Sequence, residues 1–308
     1  MPTKTSRGRR LTEQERDERR QADRQRLKEA SEQLLSSDGW ARWVRARSMF
    51  HSYSASNSML LALQFHQRGI APERVAGFRT WLRLGRVVRK GERAMRVLAP
   101  VSIKKRDQPT GEETDERRVF FKSAFVFSIS QTDQLPGADP LPLEAPRAPL
   151  TGDSHAYLLP RLHEFTRSLG YTASFRPIPG STGGWCDARA KEIVVDSDQP
   201  ANGQVRTFVH ETVHALGVDY EKYNRAQTEV IVDATTLVVL GTVGLDTSGE
   251  TVPYIAGWGE SGALEAITEF AHLIDGLARQ VERAILDPRD DRHGQQADEL
   301  VEVACGQP

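Results

Sequence analysis

One stretch limits the fold more than any other: HETVH at 210–214, followed about fifteen residues later by an apolar segment carrying two acids. His210 and His214 are four apart, so on a helix both rings project from one face and can reach a single ion. Glu211 then points to a neighbouring position, where it can take a proton from water without binding the ion itself. Val205, Phe208, Val209 and Val213 suit the rest of that helix to burial, and Gly217 supplies a stop. The segment 225–241 is apolar almost all round, which predicts a buried helix. Glu229 and Asp233 lie i, i+4 on it, and buried carboxylates are costly unless paired or bound to metal. A hydrolytic zinc site needs three protein ligands and one open position. The economical assignment makes His210, His214 and Glu229 the ligands of Zn2+ and Glu211 the catalytic base. Asp233 then accepts a ring N–H from a ligand histidine and fixes its tautomer. The competing reading, histidines that only hydrogen-bond within a helical core, weakens once the acid pair is counted.

The net charge of −1 hides an asymmetry. Residues 1–106 carry 25 Lys and Arg against 10 Asp and Glu; the rest of the chain carries 16 against 32. Such a split points the basic half toward a polyanion, nucleic acid above all. Tyr53 and Trp81 stand among Arg79, Arg83, Arg86, Arg89, Lys90 and Arg93. Bases can stack on exposed aromatics while cations follow the phosphates, which is the usual solution for single strands. Taken singly, the tryptophans read more readily as core; taken as a cluster, the cations read as a nucleic-acid surface.

Five segments follow from composition: a charged N-terminal helix (1–37), a basic domain (38–132), a linker (133–152) holding five of the sixteen prolines, a second domain (153–286) and a polar tail (287–308). Thr12 and Glu15 suggest a capping box opening the first helix, Ser54 or Ser56 an N-cap near 54–68, and Gly85 the stop of a short helix at 78–84. Alternating segments from 86 to 130 predict one small antiparallel sheet. Beyond the linker, helices are expected at 154–169, 203–216, 225–241 and 261–286, with strands near 171–176, 183–187 and 191–196. The last two strands suit the edge of a peptide-binding cleft, with Cys186 a small buried residue. Tyr254 is a candidate oxyanion donor if its loop folds back on the site. Two cysteines make no disulfide framework, no apolar signal region is visible at the N-terminus, and the run at 234–245 is too short to span a bilayer. A cytoplasmic location is the expectation.

The order of three blocks carries a resemblance. HSYSASNSMLLALQ, VAGFRTWLRLGRVVRKGERAMRVLAP and FVFSISQT are similar to successive blocks of the ArdC-type single-stranded-DNA-binding domain, a resemblance that adds Asn57 to the residues expected to hold nucleic acid. H-E-x-x-H followed by E-x-x-x-D resembles the gluzincin metallopeptidases, most nearly the zincin-like domains of the IrrE/ImmA and ArdC kind. The resemblance spans roughly 38–285. It implies an α+β chain in which a helical and antiparallel-sheet DNA-binding domain precedes a zincin-like metallopeptidase domain. It also implies an antirestriction role on mobile genetic elements. The implied partners are single-stranded DNA and a protein substrate or restriction enzyme, with no membrane. Two other readings stay open: a non-proteolytic DNA-occluding protein with a structural zinc, and an IrrE-like regulatory protease acting on a transcription factor. The family has a glutamate where this chain has Asp233, which keeps the carboxylate and changes its reach.

Overall fold

A computed structural model of the chain describes residues 12–50, 52–106, 113–138, 150–218, 223–247 and 263–286. Hydroxyl caps fix where its first helices begin. Thr12 accepts from the Glu15 amide while the Glu15 carboxylate accepts from the Thr12 amide, opening α1 (Glu13–Glu32). Ser36 caps α2 (Ser37–Met49) through Gly39, and Ser54 caps α3 (Ala55–Gln67) through Asn57. Beyond the short β1 (Val75–Ala76) and α4 (Phe78–Arg83), Gly85 takes φ of 71°, a left-handed stop that side chains with a Cβ rarely adopt.

The strands that follow make two sheets rather than the single one expected. β3 (Met95–Arg106) and β4 (Glu113–Ser128) form a long antiparallel hairpin with β1 on the far edge of β4. β2 (Arg86–Val88) pairs instead with β5 (Thr132–Gln134) as a separate ribbon. The Arg86 guanidinium selects that pairing: it donates to the Thr132 hydroxyl at 2.7 Å and the Thr132 carbonyl at 2.9 Å.

Past the proline-rich stretch, α5 (Leu159–Ser168) starts five residues later than its periodicity predicts, after a 3-10 turn at Ala156–Leu158. Pro160 explains the delay, because a residue without an amide hydrogen is tolerated only in a helix's first turn. β6 (Thr172–Arg176), β8 (Glu192–Asp196) and β7 (Gly184–Asp187) then form a mixed sheet in that spatial order, with β7 antiparallel to β8 and at the edge. The chain continues through α6 (Ala201–Ala215), α7 (Arg225–Thr242) and α8 (Ala263–Ile285). The architecture is mixed α+β.

One core runs across both halves of the sequence. Trp40, Trp43 and Met59 from α2 and α3 pack in the same cluster as Val238, Ile274 and Ala278 from α7 and α8. At the crossing of α2 and α7 the backbones nearly touch: a Cβ on Gly241 would lie 2.6 Å from the Ser48 Cβ. Arg47 of α2 is fully buried and pairs with Asp275 and with Glu282, the latter at 2.9 Å. The composition break at 133–152 therefore does not coincide with a break in packing. A smaller cluster of Phe50, Tyr53, Phe65, Met95 and Val126 sits beneath the hairpin. Among the described residues no helix is long and apolar enough to cross a membrane. Tyr254 and the tail 287–308 lie outside the described residues.

Candidate metal centre

His210 and His214 owe their alignment to α6, whose apolar face (Val205, Phe208, Val209, Val213) is fully buried against β8 and α7. This burial turns the opposite face outward at His210 and His214, whose ring centroids are 5.1 Å apart. Gly217, at φ 92°, ends the helix one turn after the second histidine. α7 starts at a capping box of Asn224 and Gln227 and brings its first two turns alongside. Glu229 Oε2 lies 3.8 Å from His210 Nε2 and 4.0 Å from His214 Nε2. One ligand atom from each of His210, His214 and Glu229 falls within 4.8 Å of the other two, close enough for one ion to bridge them. Two imidazoles and a carboxylate suit a divalent transition metal and leave a coordination position for water. Asp233 Oδ1 is 3.2 Å from His210 Nδ1, the nitrogen facing away from the cluster, though not in line for a well-directed hydrogen bond.

The burial expected of the acid pair is not what the fold gives. Glu229 and Asp233 are not buried; their side chains are 39% and 40% exposed. α7 buries Ile231, Val232, Thr235 and Val238 but leaves the acid pair on a side open to water. Glu211 is the buried member, 7% exposed.

Electrostatics separate the groups. Burial pushes the Glu211 carboxyl up to about 7, against the pull of His210 and aided by the Glu229 charge. Burial alone would lower His210, but Asp233, Glu211 and Glu229 together raise it. His214 goes down, through burial and then the neighbouring His210. The β7 edge stands beside Glu211. Gly184 allows the approach: a Cβ there would meet the Val194 carbonyl oxygen at 2.6 Å, Thr207 Cγ2 at 2.7 Å and Glu211 Cγ at 3.6 Å. Gln199 ties the start of β7 to α6, donating to the Gly183 carbonyl and accepting from the Thr207 hydroxyl. Cys186 is half-buried on this strand, and burial pushes its thiol up to about 12.

The residues expected to hold nucleic acid divide. Tyr53 and Trp81 are buried, and the Trp81 indole donates to the Phe127 carbonyl at 2.9 Å, so neither ring offers a face for a base. Asn57 is spent on β3, accepting from the Leu98 amide and donating to the Leu98 carbonyl. Arg86 holds β5, and Arg89 is clamped by Glu92 and Asp133. Arg79, Arg83, Lys90 and Arg93 remain on the surface, beside the half-exposed Phe78 and Leu82 of α4. Sequence reasoning missed Phe120, Phe121 and Phe125, which are exposed on β4. A signal existed: VFFKSAFVF places apolar residues on both faces of a strand whose core can cover only one.

Residues 13–127 match the family model described as the N-terminal domain of anti-restriction factor ArdC. An uncharacterized protein of Bacillus anthracis is 24% identical over 253 residues, covering 70% of this chain and 42% of the relative. The chain thus spans about two fifths of the length of that curated relative. The metal-free crystal structure of the antirestriction ArdC protein from plasmid R388 aligns with a TM-score of 0.52 at 20% identity, over 92% of this chain and 99% of that one. The likeness is one of fold. A Mn(II)-bound crystal structure of the same plasmid protein aligns with a TM-score of 0.41 at 18% identity, over 81% and 89%.

Proposed function

We propose that this chain, an ArdC-type protein by the match of its N-terminal region, is a zinc-dependent peptidase joined to a single-stranded-DNA-binding region and serves antirestriction. The observation that carries the reading is the convergence of His210, His214 and Glu229 beside a buried Glu211. These donors fit a divalent ion, and the half-exposed acid pair gives the cluster access to solvent. When bound, such an ion supplies a Lewis acid for a carbonyl oxygen and acidifies a water. Glu211 takes the proton of the attacking water on its carboxylate and returns it to the leaving amine. Asp233 orients the His210 ring, and the β7 edge offers backbone groups to an extended peptide. The zincin-like domain of this reading is residues 153–286. The restriction-protection role rests on the family match and on the likeness of fold to the antirestriction protein of plasmid R388. A protease assay on candidate restriction enzymes, with and without single-stranded DNA, tests the reading. Cleavage that requires zinc supports it; parental cleavage by a His210→Ala variant carrying no metal would sink it.

A further inference from the structure

We propose that the groove between α1 and the hairpin of β3 and β4 holds single-stranded nucleic acid, with bases stacked on Phe121 and Phe125. The inference rests on the single-strand reading above and gives it a place distinct from the Arg79–Arg93 surface. The groove encloses about 1350 Å³. Its lining carries five cationic side chains against two carboxylates. Both carboxylates are engaged: Asp17 pairs with Arg20, and Asp23 pairs with Arg26 at 3.1 Å and accepts from the Ser123 hydroxyl. Arg19, Arg24 and Lys122 pair with no carboxylate among the described residues, which leaves them for phosphates.

The walls supply the other half of the recognition. Phe121 is 65% exposed and Phe125 52%, and Phe120 stands beside them. Scattered surface phenylalanines need no explanation, but three lining one basic groove do. Phe121 and Phe125 are four apart on β4, so they share a face at a spacing of about 13 Å. That is several times the roughly 3.4 Å rise of stacked bases, so each ring serves a different base. The Arg96 guanidinium already lies over Phe125, 5.6 Å from the ring centroid, so a planar group fits against that ring. A duplex hides its base faces and could use only the cations. A single strand uses both, and an acidic peptide would leave the rings without a partner.

The test is anisotropy of a labelled oligothymidylate with the full chain across a salt series. Phe121→Leu/Phe125→Leu keeps apolar bulk and removes the ring faces. It should weaken binding at least tenfold with an unchanged salt slope, and the unfolding midpoint should stay at the parental value because both rings are exposed. Arg24→Gln/Lys122→Gln should flatten the slope by about 1.4, two phosphates at roughly 0.7 each. A leucine pair that binds as tightly as the parent, with Arg83→Gln/Lys90→Gln abolishing binding, would overturn the groove and leave the single-strand reading standing. A parent that does not bind oligothymidylate would overturn the reading itself. Duplex or polyglutamate competing as well as free oligothymidylate would likewise count against stacking in this groove.

Discussion

Arg47→Met tests whether α2 and α8 are locked together by a buried ion network. The guanidinium has no exposed surface and meets Glu282 twice, at 3.2 and 2.9 Å, as well as Asp275. Removing one partner of a buried pair costs about 3–5 kcal/mol, mostly through the charge left behind. The two carboxylates are not equally exposed to that penalty. Asp275 keeps the Ala55 amide at 3.2 Å and Arg279 at 3.2 Å. Among the described residues Glu282 keeps only the Thr242 hydroxyl, at 3.0 Å, and it is 4% exposed. We therefore expect a loss of about 3–4 kcal/mol, with Glu282 responsible for most of it. In a chain this long that lowers Tm by roughly 6–8 °C. Arg47→Met/Glu282→Gln should regain about 2 kcal/mol, since a neutral amide still accepts from Thr242 at a smaller desolvation cost. Urea unfolding read by tryptophan fluorescence and by far-UV circular dichroism measures both variants. Trp40 and Trp43 lie in the core that joins the two halves, so the probes should shift together. A loss below about 1 kcal/mol, or a double variant no better than the single one, would refute the reasoning.

Asp233→Asn keeps the shape of the His210 contact and removes its charge; divalent-metal affinity by competition titration should fall roughly 10–100-fold, and unchanged affinity would detach Asp233 from the site. Gly241→Ala drives a methyl into Ser48 and should cost about 1–3 kcal/mol in urea unfolding; Ser48→Gly in the same chain should restore most of it, and no rescue would mean the helices do not cross there. In a Cys305→Ser chain, Cys186 should react with a disulfide reagent at pH 8 far more slowly folded than unfolded. A rise from the usual 9.0 to about 12 leaves roughly a thousandfold less thiolate, and equal rates would contradict its burial.

Local chemistry was the legible part of the fold. Thr12 and Ser54 open their helices because a cap is settled within three residues of sequence. The convergence of His210, His214 and Glu229 was legible for a similar reason: HETVH and the Glu229–Asp233 pair each fix their own face through helical periodicity. The argument that singled out the acids used burial, yet they lie in the open, because amphipathicity averaged along α7 does not say which turn faces a cleft. The aromatics went astray through long-range partners. Trp81 is in the core because the Phe127 carbonyl, 46 residues away, receives its indole hydrogen. Phe121 is exposed because it stands on the face of β4 opposite Ala124 and Val126, which pack into the core. The second sheet depends on Arg86 meeting Thr132, again 46 residues apart.

Metal content measured beside peptide cleavage, for the parent and Glu211→Gln, addresses the central claim most directly. The account predicts one bound divalent ion per chain in both proteins, and cleavage reduced about 10²–10⁴-fold in the variant. A parent that purifies and reconstitutes without metal, or a Glu211→Gln protein that cleaves at the parental rate, would contradict it.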